Sequence, residues 1–221
     1  MKLKRVKRWY GVVTAIALIF LVLTVSIAAP LVCRPFYYAH IQALHLPETT
    51  GFTEEEIREA YDEMMDFCMK GEEFGTGVMK WSEDGKSHFA DCAVLFRLDF
   101  QVMAAAVLIL VLCLILYLRG YRPKLLCGRG PLFWAGAILM GGFLVIAALG
   151  AADFDRAFVI FHHIFFPGKT NWIFYYDVDE IIQVLPEVFF RNCAILIIGL
   201  MFILCILEIV LDFRIHNRKH R

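Results

Sequence analysis

Four apolar runs decide most of what this chain can fold into. They cover roughly residues 10–32, 98–118, 132–151 and 193–211. Each is close to the ~20 residues a helix needs to cross a bilayer at about 1.5 Å per residue. Lipid offers backbone N–H and C=O groups no hydrogen-bond partners, so such runs must be helical. Apolar residues make up 60% of the 221, against roughly 45–50% in soluble domains. A soluble globular fold is thereby excluded. The expected fold is an all-α integral membrane protein, a single membrane domain over residues 1–221 with four transmembrane helices.

The formal charge sums to zero, but its distribution is uneven and sets an orientation. Lys2, Lys4, Arg5, Lys7 and Arg8 precede the first run without an acid among them. Arg119, Arg122, Lys124 and Arg129 follow the second run, and Arg214, Arg218, Lys219 and Arg221 outweigh Asp212 at the end. Residues 33–97 carry 13 acidic and 6 basic side chains, and residues 153–191 carry 6 and 3. Basic flanks stay in the cytoplasm. Both termini are therefore expected inside, with 33–97 and 153–191 forming a small extracellular cap. Ala28-Ala29 after a basic start resembles a signal-peptide site. The apolar run is too long for an h-region of about 7–15 residues, so a retained anchor is expected. Val32 stands where a lipobox would place a small residue before Cys33.

Local signals place further elements. Thr53-Glu54-Glu55-Glu56 is a capping box, and Ile57, Ala60, Tyr61, Met64 and Cys68 mark the apolar face of the helix it opens. Gly71 should end it. Asp84-Gly85 between short runs reads as a hairpin turn that would carry His88 and Asp91 to the membrane. Phe36, Tyr37 and Tyr38 read as interfacial anchors. Arg97 is expected to pair with Asp91 or Asp99 at the outer end of the second run. Gly136, Gly141, Gly142 and Gly150 would let the third helix pack closely, and Glu208 would reach the inner headgroups. Residues 157–166 are too few to span and should lie in the interface. A short helix over 179–185 should end at Pro186, ahead of the last span. The seven cysteines form no C-x-x-C, which disfavours thiol–disulfide chemistry. A Cys68–Cys92 disulfide and free thiols are both open.

Residues 161–190 are too aromatic for a solvated loop and too polar for a span. Such a composition belongs where membrane meets water. Its adjacent His162 and His163, with His88 of the first outer loop, are the candidate acid–base groups, since imidazoles titrate near neutrality. Asp91, Arg97, Asn171, Glu187 and Arg191 are candidate supports. Phe161, Phe165, Phe166, Trp172, Tyr175 and Tyr176 are candidate substrate walls. A purely structural role for the adjacent histidines is the competing reading. Only Ser26, Ser82 and Ser87 occur, without G-x-S-x-G, which leaves a serine nucleophile unsupported. No H-E-x-x-H motif supports a metal site.

H-F-A-D at 88–91, F-H-H-I-F-F at 161–166, Asn171-Trp172 and L-P-E-V-F-F at 185–190 resemble the lipoprotein intramolecular transacylase family of Gram-positive bacteria. The resemblance covers the whole chain. It implies four helices under an extracellular cap and two catalytic histidines, which fall on His88 and His162. His163 sits at a variable position of the motif. The implied reaction moves the sn-2 acyl chain of a diacylglyceryl lipoprotein onto the α-amino group of its N-terminal cysteine, giving a lyso-form. The implied partners are a diacylated lipoprotein and membrane lipid, with no nucleic acid, no cofactor and no metal. Three rivals remain: an interfacial acyl hydrolase or transferase acting on phospholipid, a non-catalytic accessory protein, and a metal-dependent hydrolase.

Overall fold

The apolar runs fold into four helices, each long and apolar enough to cross a membrane. The computed structural model describes residues 5–217; Lys2, Lys4, Arg218, Lys219 and Arg221, which entered the charge argument, lie outside the described residues. In order, the elements are β1 (Arg5–Lys7), α1 (Arg8–Val32), α2 (Arg34–Ala43), α3 (Leu46–Thr50), α4 (Glu54–Lys70), α5 (Glu83–Leu118), β2 (Tyr121–Pro123), α6 (Pro131–Ala152), α7 (Phe154–Phe165), α8 (Ile181–Val184) and α9 (Glu187–Asn217). The membrane-crossing candidates are α1, α5, α6 and α9. The two three-residue strands pair in parallel, Arg5 opposite Tyr121 and Lys7 opposite Pro123.

The chain divides into two compact units. The first comprises the residues up to Ala28, Asp99–Ala148 and the residues from Leu196 onward. Its core gathers Val22, Leu139, Met201 and Cys205. Gly136 is needed there: a Cβ at this position would lie 2.7 Å from the carbonyl oxygen of Cys205. Small residues let helix backbones approach where no hydrophobic drive separates lipid from protein. Gly141, Gly142 and Gly150 have open space around them, so the close packing expected of all four glycines holds at Gly136 alone. Tyr10 Oη donates to the carbonyl of Cys113 at 2.8 Å. Asp212 is fully buried and accepts from Gly130 N at 3.0 Å. Glu208 is buried within the unit; its expected place among the headgroups is not the one it takes.

The second unit comprises Ala29–Leu98 and Leu149–Ile195. Its core joins α2, α4, α8 and the first turn of α9 through Tyr37, Ile41, Ile57, Tyr61, Met64, Cys68, Ile181, Val184 and Phe189. Thr53 and Glu56 form the capping box in full, and Gly71 ends α4 at φ +76°. Tyr37 is a core residue rather than an interfacial anchor. It is 1% exposed, its ring stacks on Tyr61 at 3.7 Å, and its hydroxyl donates to the carbonyl of Val184 at 2.8 Å. Tyr38 turns its hydroxyl to Asp62, which with Asp66 also holds Arg34. Cys68 and Cys92 are free thiols, and Cys68 Sγ donates to the carbonyl of Phe89 at 3.5 Å.

The expected hairpin around Asp84-Gly85 is absent. Those residues form the first turn of α5, and His88 is carried on a helix. The capping chemistry explains the difference. Ser82 Oγ accepts from Gly85 N at 3.0 Å, satisfying an orphan donor of the first turn. Asp179 accepts from Ser82 N at 2.7 Å and from its hydroxyl. Gly85 serves this contact, because a Cβ would meet the Asp179 carboxylate. At 36 residues α5 is about 54 Å long, against ~30 Å of hydrocarbon. The part before residue 98 therefore extends beyond the membrane-crossing run.

Valine at position 136 should push the α6 backbone away from Cys205 and cost about 1–3 kcal/mol. The thermal midpoint in detergent should fall clearly for Gly136→Val and little for Gly141→Val, which has no neighbour within 4 Å of its added Cβ.

Candidate active site

Two elements of the second unit bring the histidines together. Asp153 caps α7, its Oδ1 accepting from Arg156 N at 3.0 Å. The last turn of this amphipathic helix presents His162 inward and His163 outward. His162 is 6% exposed, whereas His163 is exposed and meets Trp172 edge-on at 5.7 Å. His88, one turn into α5, is also 6% exposed. The ring centres of His88 and His162 lie 5.8 Å apart.

Aromatic rings close around this pair. Phe166 is buried and touches both, 4.9 Å from His88 and 5.7 Å from His162. Phe174 packs edge-on to His88 at 5.5 Å. Trp172 stacks on His162 at 4.6 Å and Phe158 covers it at 4.3 Å. Phe161 approaches His162 edge-on at 5.5 Å and pairs with Phe165 at 4.6 Å, both being exposed on their outer sides. Tyr175 and Tyr176 are exposed in a turn, where the Tyr175 carbonyl accepts from Val178 N and Asp179 N. Of the expected walls, Trp172, Phe166 and Phe161 reach the dyad.

The segment after α7 is tied down by Asp91. Lys169 forms an ion pair with Asp91, and Asn171 Nδ2 donates to Asp91 Oδ2 at 3.1 Å. Asn171 also reaches Ser87 Oγ at 3.3 Å, and Trp172 Nε1 donates to the Lys169 carbonyl at 3.0 Å. Two candidate supports, Asp91 and Asn171, thus hold Trp172 over His162. Among the described residues Arg97 pairs with neither Asp91 nor Asp99: Lys169 holds the Asp91 carboxylate, and Arg97 Nε donates to the Ala93 carbonyl at 3.2 Å. Glu187 and Arg191 are exposed on the first turns of α9. Glu187 lies against Asp155, whose hydrogen bond raises its pKa, while Arg191 opposes the rise.

Electrostatics follow from the dry surroundings. Burial lowers the pKa of His88 to about 4; the charge of His162 and of Lys169 adds to this and Asp91 opposes it. Burial also lowers His162, against the hydrogen bond to Phe158, with His163 adding to the shift. Both rings are neutral near pH 7. His162 Nδ1 is 2.8 Å from the Phe158 carbonyl. A carbonyl only accepts, so Nδ1 carries the proton and Nε2 keeps a bare lone pair. His88 Nδ1 is buried without a partner among the described residues, and Nε2 lies 3.5 Å from Cys92 Sγ. The site thus holds a ready base next to a second neutral imidazole, walled from water. Phe158, Phe174, Lys169 and Cys92 were not singled out as site residues from the sequence. For Phe158 and Cys92 a four-residue helical spacing from His162 and His88 was the available signal.

Residues 12–190 match the family model described as lipoprotein intramolecular transacylase Lit. Among solved structures, the chain is similar to the membrane-integral lipoprotein intramolecular transacylase Lit from Bacillus cereus. The TM-score is 0.83 at 25% identity, over 96% of both chains. Two variants of that bacterial protein, each with one histidine replaced, by arginine or by alanine, match with a TM-score of 0.79. Their identities are 22% and 23%, over 96% of this chain and 92% and 94% of theirs. Comparison with curated protein sequences finds no significant match.

The depressed pKa of His88 makes stability depend on pH. Unfolded, the ring titrates near 6.5; folded, it stays neutral down to about 4. Stability from this group is present above pH 6.5 and is lost as pH falls towards 4, because the unfolded chain then binds the extra proton. The loss is on the order of 3 kcal/mol. Thermal melts in detergent should fall between pH 6.5 and 4.5, and the fall should be shallower for His88→Gln.

Proposed function

The chain belongs to the lipoprotein intramolecular transacylase family, and on that premise we propose that His88 and His162 are its catalytic pair. It is an acyltransferase of multi-pass membrane type, acting on lipoproteins. In our reading the substrate is a diacylglyceryl lipoprotein whose N-terminal cysteine has a free α-amino group, and the group moved is the sn-2 acyl chain. The observation that carries this is the pair of buried, neutral imidazoles 5.8 Å apart inside an aromatic enclosure.

The chemistry asks for little more than that pair. The nucleophile is the substrate's own nitrogen, so the enzyme supplies no serine or cysteine nucleophile. An α-amino group has a pKa of about 7.7–8.0, and its free-base form is available near neutrality. Its lone pair attacks the ester carbonyl and forms a tetrahedral intermediate. His162 Nε2, bare because Nδ1 is bound to the Phe158 carbonyl, takes the proton from that nitrogen. The C–O bond to glycerol then breaks, and the same imidazolium returns the proton to the departing alkoxide oxygen. Nitrogen loses one proton and oxygen gains one; the products are an amide and a free hydroxyl, with no other reactant. His88, held neutral by burial, stabilises the oxyanion as a hydrogen-bond donor.

The aromatic walls confine the folded lipid and keep water off the ester. Well-oriented intramolecular reactions gain about 7–11 kcal/mol from such confinement. Sidedness is part of the same proposal. Basic residues flank the membrane runs on one side and acidic loops on the other. This supports cytoplasmic termini and an active site on the extracellular side of a bacterial membrane.

The test is mass spectrometry of the N-terminal lipopeptide of a lipoprotein made in a host that produces only the diacyl form. Wild type and His163→Ala should yield an N-acyl, S-monoacylglyceryl lipopeptide of unchanged total mass. His88→Ala and His162→Ala, present and folded, should leave the diacyl form. Activity that survives His162→Ala but not His163→Ala would move the catalytic role to His163, and release of fatty acid from phospholipid instead would favour the hydrolase reading.

A further inference from the structure

We infer that Cys92 is a positioning residue that fixes which nitrogen of His88 bears the proton, and so makes His88 the donor of the pair. The inference rests on the catalytic reading of His88 given above. Cys92 follows His88 by one helical turn of α5, and its Sγ lies 3.5 Å from His88 Nε2. Helical residues four apart face one another, so the contact is built into the helix and does not depend on a loop.

The direction of the bond follows from acid–base strength. Cys92 is free and sits in apolar surroundings that raise its thiol pKa far above neutrality, so it carries its proton. A neutral thiol sulfur is a weak acceptor, whereas an unprotonated imidazole nitrogen is a good one. The S–H therefore donates to Nε2. A neutral ring holds one proton, which is left on Nδ1. That atom is buried and has no partner among the described residues. A buried polar atom without a partner is costly and asks for an explanation. Here it is an N–H held ready for an oxygen of the reacting ester.

The two rings are thus set in opposite senses by neighbours on their own helices. The Phe158 carbonyl takes the His162 Nδ1 proton and bares Nε2; the Cys92 thiol occupies His88 Nε2 and leaves the proton on Nδ1. One ring accepts and the other donates, as transfer from nitrogen to oxygen requires. The charged and titratable groups bearing on His88 are Asp91 on its own helix, His162 on α7, and Lys169, which Asp91 neutralises. None of them is hydrogen-bonded to either His88 nitrogen, so Cys92 is the group that sets the tautomer.

The experiment uses the full-length protein in detergent with a synthetic S-diacylglyceryl-cysteine peptide whose amino terminus is free. Wild type, Cys92→Ser, Cys92→Ala, Cys92→Val and His88→Ala are compared for kcat, KM and pH profile. Serine can still donate, so Cys92→Ser should keep kcat within about twofold. Cys92→Ala and Cys92→Val should lose about fivefold in kcat at unchanged KM, the size of one weak hydrogen bond. Donation to Nε2 opposes its protonation, so removing it raises the His88 pKa. In the pH profile, followed through the His88 ring by NMR, protonation should therefore occur at higher pH in Cys92→Ala than in wild type. An unshifted profile, or Cys92→Ser as impaired as Cys92→Ala, would overturn the inference and leave Cys92 a packing residue. Full activity in His88→Ala would instead remove the catalytic reading on which it rests.

Discussion

Burying two histidines without partners for their charge is the condition on which the site depends. An imidazole removed from water resists protonation, so dryness sets both rings neutral, and only a neutral ring can act as a base. Dryness in turn requires walls, supplied by Phe158, Phe166, Trp172 and Phe174. Trp172 lies on a loop, and a loop needs an anchor. Asp91 provides it, taking the Lys169 ion pair and the Asn171 amide. A single carboxylate on α5 thereby holds the cover of a histidine on α7.

The same economy shows in the choice of polar contacts. Each imidazole of the proposed pair takes its partner from four residues away on its own helix, Phe158 for His162 and Cys92 for His88. Neither depends on the docking of a distant segment, and both persist so long as the helix does. The loop residues control access and solvent, while the helices control protonation. For an acyl shift in which the substrate brings its own nucleophile, that division is sufficient. Proton placement and exclusion of water are what the enzyme has to add.

Much of this was legible in the sequence, for physical reasons that differ by element. The membrane helices announce themselves, because lipid leaves a run of twenty apolar residues no other structure. The capping box at Thr53 and the stop at Gly71 are local chemistry and read directly. His88 and His162 could be named through the motif resemblance, yet their positions rested on incomplete local logic. Asp84-Gly85 has the composition of a hairpin turn, but Asp179, nearly a hundred residues away, joins Ser82 in capping a helix there. Tyr37 looked like an interfacial anchor because its alternative, the carbonyl of Val184, is 147 residues distant. Arg97 was expected to pair with Asp91 or Asp99 by proximity in sequence, and Lys169 takes Asp91 across 78 residues. Each of these three is a long-range polar contact outcompeting a local preference. The choice between His162 and His163 was not legible either, since only the packing of α7 shows which one is buried.

The central claim is that a dry, neutral histidine pair passes an acyl group from oxygen to nitrogen within one substrate molecule and denies it to water. The direct measurement is the partition of a single turnover in ¹⁸O-labelled water, read by mass spectrometry of both lipopeptide and fatty acid. The account predicts rearranged lipopeptide without label and no ¹⁸O-labelled fatty acid above the enzyme-free background. Labelled fatty acid in amounts comparable to the rearranged product would show that water reaches the ester, and would contradict the claim.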